Sequence, residues 1–84
     1  MPGFSVLMNQ GLSRVIVTSE GRWYILVRDG ERGKVRVAEM ISHYDSSVTL
    51  YHVDEWLTFS DAVAGAEFHS ATAPRRTELA TTSV

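Results

Sequence analysis

Three short stretches carry side chains that could do chemistry. His52, Asp54 and Glu55, in "HVDEW", combine an imidazole with two carboxylates, donor types that bind zinc. Neighbours in an extended chain alternate in direction, so this spacing splits the donors between two sides. His43 lies on the preceding segment, but a hairpin turning at Asp45-Ser46-Ser47 does not set it opposite His52. Ser60 with Asp61 pairs a hydroxyl and a carboxylate without the strand–turn–helix elbow that exposes a nucleophile. Helix capping accounts for that pair better. His69 can pair with Glu67 or sit at a helix C-terminus, where a cation is favoured. "DGERG" (29 to 33) reads as a turn, because no helix with a Lys-Ser/Thr pair follows it as in a phosphate loop. The chain has no cysteine, which removes disulfides, thiolate metal sites and cysteine nucleophiles. The expectation is a non-enzymatic protein with no catalytic residue, metal or cofactor.

Binding chemistry is better represented. Arg22, Tyr24, Leu26, Arg28, Lys34 and Arg36 put an aromatic and an aliphatic residue among cations within fifteen residues. Aromatic residues and arginine are enriched at protein interfaces, and a ring among cations also suits base stacking with phosphate contact. A second group, Asp54, Glu55 and Trp56, forms an acidic bend with a tryptophan, and an exposed tryptophan there would be an anchor for a partner. Phe68 is a third candidate. Its helical phase is nearly opposite to Phe59, alongside Ala64 and Ala71, so it either reaches further core or faces a partner.

The elements that must position these residues follow from periodicity. "RVIVT" (14 to 18), "RWYILVR" (22 to 28), "KVRVAEM" (34 to 40) and "VTLYHV" (48 to 53) are rich in β-branched and aromatic residues. Turn-forming stretches separate them. "FSVLMN" (4 to 9) is a candidate fifth strand, turning at Gln10-Gly11. After Val53 the composition becomes helical. Thr58 and Asp61 resemble a capping box, and Phe59, Ala62, Val63 and Ala66 share one face. Pro74 ends the segment, because the residue before a proline is disfavoured in helix. Gly65 inside it costs about 1 kcal/mol relative to alanine. Residues 1–73 read as one α+β domain, an antiparallel meander of four to five strands with one C-terminal helix on one face. Residues 74–84 read as a mobile tail. The alternative is a small SH3- or OB-like barrel with the helix as a lid.

A hairpin centred on Glu31 sets Val27 against Val35, Ile25 against Val37 and Trp23 against Glu39; moving it by one residue sets Val27 against Arg36. The first register segregates better and continues through the preceding turn to pair Val17 with Trp23 and Val15 with Ile25. It predicts a helix-covered face of Val15, Val17, Trp23, Ile25, Val27, Val35 and Val37. The opposite face then carries Arg14, Ile16, Arg22, Tyr24, Leu26, Arg28, Lys34, Arg36, Ala38 and Met40, with Arg28 beside Lys34, an unfavourable like-charge pair.

Charge is unevenly spread. Residues 1–36 balance at +3, residues 37–74 hold no Lys or Arg and balance at −6, and the whole chain is −2. An acidic total ranks nucleic acid behind protein as the main partner, while one-signed regions steer charged partners. The expectation is therefore a binding protein acting through protein–protein contact, of the kind phages and mobile elements use to inhibit nucleic-acid-handling complexes. A nucleic-acid module using the basic hairpin and a homodimeric subunit are the alternatives. Nothing approaches the ~18 apolar residues of a membrane span, and "MPGFSVLMNQ" lacks a basic n-region. Together with the missing cysteines this predicts a cytoplasmic protein without membrane contact. The closing Thr82-Ser83-Val84 has the form that a PDZ groove accepts.

Overall fold

The computed structural model describes residues 13–76. Strands β1 (Ser13–Val17), β2 (Trp23–Asp29), β3 (Lys34–Ser42) and β4 (Val48–Trp56) are followed by one helix, α1 (Phe59–Thr72). The strands form an open antiparallel sheet in sequence order, with α1 packed on one side. This is the α+β meander that the periodicity predicted. The candidate strand at 4–9 and the motif at 82–84 lie outside the described residues. No helix among the described residues is long and apolar enough to cross a membrane.

The first hairpin has the expected register, with Val17 opposite Trp23 and Val15 opposite Ile25. The second does not. Val27 pairs with Arg36, Ile25 with Ala38 and Trp23 with Met40, one residue away from the expected pairing. The loop explains the shift. Asp29 pairs with Lys34 and leaves four residues between them, so the turn is not centred on Glu31. Gly33 closes it at φ +69, with its N–H bonded to the Asp29 carbonyl at 2.9 Å. Positive φ is cheap for glycine, so the chain can reverse there.

A one-residue slip moves every β3 side chain to the other face. Val35 and Val37 join Tyr24 and Leu26 beneath α1, where Ala62 and Ala66 complete the buried cluster and Ile16, Val53, Trp56, Phe59 and Val63 pack around it. The helix thus covers the side expected to face outward. Val15, Val17, Trp23, Ile25 and Val27, expected beneath the helix, lie on the far side. The charge penalty that disfavoured this register is answered: Arg36 lies 3.9 Å from Asp29 and 3.7 Å from Glu55. The like-charge pairing of Arg28 with Lys34 disappears, since Arg28 faces Val35 and Lys34 faces Asp29.

α1 begins where predicted. Thr58 is its N-cap, with Oγ1 accepting from the Asp61 N–H at 3.0 Å. It ends before Pro74, at extended Ala73. Gly65 has a packing reason for its place inside the helix. A β-carbon there would stand 2.5 Å from Trp56 Cε2 and Cη2, and closer still to Cζ2, so the indole lies on bare backbone.

Candidate interaction surface

The predicted basic stripe does not form a surface. Arg22 is buried, and its guanidinium makes a two-pronged bond to buried Glu39, Nε to Oε2 and Nη2 to Oε1, both 2.9 Å. The remaining donors reach the end of α1: Nη1 to the Ser70 and Ala73 carbonyls at 3.2 and 2.7 Å, Nη2 to the Pro74 carbonyl at 3.3 Å. A cation at the negative end of a helix, fixed bidentately to a carboxylate, is a staple between sheet and helix. The bond to Glu39 raises the Arg22 pKa, so its charge is permanent.

Tyr24 and Leu26 are wholly buried beneath α1. Burial pushes the Tyr24 phenol up to about 12. Its hydroxyl lies 2.7 Å from His69 Nδ1. Desolvation, followed by the neighbouring Arg22 charge, lowers the His69 pKa. The two rings also meet edge to face, 5.6 Å between centroids, so this contact belongs to the packing of α1 on the sheet.

Of the other predicted site residues, Arg36 and Glu55 sit in a network with Arg32 and buried Asp29, in which Arg32 Nη2 meets Glu55 Oε1 at 2.7 Å. Trp56 packs against Gly65 between sheet and helix, so it is no exposed anchor. Asp54 is exposed and Lys34 is exposed at the hairpin end. Arg28, half-buried, leans with Arg14 on the Phe59 ring, 5.2 and 4.4 Å from its centroid. Phe68 faces outward, 71% exposed. The predicted residues are therefore distributed among core, network and separate surface points.

An exposed apolar patch does exist at the β1 margin of the far side of the sheet, a side whose Val15, Val17, Trp23 and Ile25 sequence reasoning placed in the core and whose Ala38 and Met40 it placed on the opposite face. Cross-strand partners there form rows. One runs Val17, Trp23, Met40, Leu50, and the next runs Val15, Ile25, Ala38, His52. Ile25 and Ala38 are buried with Val27, and Met40 and Leu50 pack against them. At the β1 margin the apolar side chains come to the surface: Trp23 is 53% exposed, Val15 and Val17 50% each. The clue available in sequence was Glu39 opposite Trp23 in the expected register, a carboxylate set into a core face.

His43 Nε2 lies 2.6 Å from Thr49 Oγ1, while His52 stands in the far-side row, so the two histidines do not converge. No group of three metal-ligating side chains occurs among the described residues. Pro74 to Arg76 are held to the body. Arg75 donates to the Glu20 carbonyl, and the Arg76 guanidinium lies 4.0 Å from the Tyr51 ring centroid. Residues 77–84 of the predicted tail lie outside the described residues. Compared with known protein families, curated proteins and solved structures, the chain matches none.

Proposed function

We propose that this protein works by binding another protein through the Trp23–Val15–Val17 patch. The exposure of Trp23 carries the reading. Tryptophan is the residue type most enriched among binding anchors, and here two half-exposed valines extend it into a continuous apolar patch. The same geometry weakens the nucleic-acid alternative, because Arg22 is committed to Glu39 and the helix end and Arg36 to the acidic network. An inhibitory role, in which such a patch occupies a partner's working surface, is compatible with this mode of binding.

The test places a photo-crosslinking amino acid at position 23 and irradiates cells that produce the full chain. A discrete protein adduct, lost when the probe is moved to Phe68, is expected. Absence of any protein adduct from position 23 would overturn the reading.

A further inference from the structure

The two outer strands of the sheet are guarded differently. β4 carries an irregularity in its pairing at Val37/Ala38 and the acidic pair Asp54 and Glu55, features that discourage another strand from adding. β1 has five residues, no proline and no bulge. Its one charge, Arg14, leans onto the Phe59 ring. Its backbone is also poised outward. The Thr18 N–H bonds to the Arg22 carbonyl at 2.9 Å. The alternation of antiparallel ladders then turns the backbone groups of Ile16 and Arg14 toward β2, and those of Val17, Val15 and Ser13 away from it. No described strand lies beyond β1.

We propose that this edge pairs with β1 of a second copy, antiparallel, about a twofold axis through Val15. The inference rests on reading the Trp23 side as a protein-contact surface and names the partner at its margin. Register and charge select the axis. Centred on Val15, Ser13 faces Val17 of the other copy, Arg14 faces Ile16, and every outward backbone group of the strand is used. Centring on Arg14 would set two arginines directly opposite each other, which is destabilising. Centring on Ile16 would carry Ser13 past the strand, against Ser19 in the turn. Only the Val15 axis pairs the full strand without like charges.

The axis stands normal to the sheet, so both Trp23 residues emerge on the same side of one continuous sheet. Strand spacing and rise place them about 20 Å apart. α1 lies over β2, β3 and β4, so the two helices do not meet at the seam. The product is a symmetric pair that shows a partner two tryptophans at a fixed separation.

The chain has no native cysteine, so single cysteines report cleanly. In full-length Val15→Cys the two thiols face each other across the axis, within the Cα separation of about 4.4–6.8 Å that a disulfide tolerates. In Ser13→Cys they stand about 14 Å apart. Mild oxidation is expected to yield covalent dimer from Val15→Cys and none from Ser13→Cys, and unmodified protein should sediment near twice its 9.4 kDa. A wild-type monomer at the highest soluble concentration, with no Val15→Cys disulfide, overturns the proposal. So does a monomer whose Val15 and Val17 amides resist hydrogen exchange, which would assign the edge to this chain's own residues, with 4–9 the first candidate. A monomer that still gives a protein adduct from position 23 would overturn the pairing and leave the proposed function standing.

Discussion

Replacing Gly65 by alanine tests the packing of α1 on the sheet, because two effects of opposite sign compete at one atom. Glycine inside a helix costs about 1 kcal/mol relative to alanine, so propensity alone predicts a more stable protein. The new β-carbon, however, would lie 2.5 Å from Trp56 Cε2 and Cη2, where ordinary contact begins at 3.4 Å. The indole or the helix must retreat by about 1 Å. Trp56 stands between Val35 and the helix, in a core that includes Ala62 and Ala66, and has little room to do so. Overpacking of this kind costs about 3 kcal/mol at the upper end of its usual range. The net expectation is a loss of about 2 kcal/mol, or roughly 8–16 °C in melting temperature for a domain of this size. Thermal unfolding followed by far-UV circular dichroism reads it directly. The sign should invert in a Trp56→Leu background, where the obstructing ring is gone and alanine should regain roughly 1 kcal/mol. A stabilised Gly65→Ala protein with Trp56 intact would refute the packing described here.

Glu39→Gln should leave the buried Arg22 charge without its counter-ion and destabilise by about 3–5 kcal/mol in urea unfolding, whereas Arg22→Met with Glu39→Leu should recover much of the loss. Because the fold lowers the His69 pKa, the unfolded chain binds the extra proton first as pH falls. Stability should therefore decline below the ordinary histidine value of 6.5, with His69→Asn flattening the profile of urea midpoint against pH. Ultraviolet titration should show one phenol ionising near 12, absent in Tyr24→Phe. Labelled oligonucleotides should show no salt-sensitive anisotropy change, since binding by the hairpin cations would weaken steeply with salt.

The strands, the helix and its Thr58 cap were legible in the sequence because each rests on local periodicity or local hydrogen bonding. The register of the first hairpin was legible too, since Val15, Val17, Trp23 and Ile25 alternate without ambiguity. The second hairpin depended on loop parity, and "DGERG" allows a turn of either parity. Arg36 beside Val27 looked costly only while Asp29 was read as a turn residue and Glu55 as part of an acidic bend; both are its neighbours in space. Glu39 counted as one more acidic residue until its partner 17 positions away was known. Gly65 registered as a helix defect because nothing local announces that Trp56 lies on it. That single slip of register exchanged the two faces. It moved the proposed interaction surface from Tyr24 to Trp23.

Everything functional here depends on which side of the sheet the helix covers, and fluorotryptophan NMR of the wild-type chain tests that side with both indoles in place. The chain has two tryptophans, and Trp23→Phe assigns their fluorine resonances. A soluble paramagnetic gadolinium chelate should broaden Trp23 strongly and Trp56 weakly. The reverse order, with Trp23 shielded and Trp56 accessible, would place the helix on the other face and contradict the account.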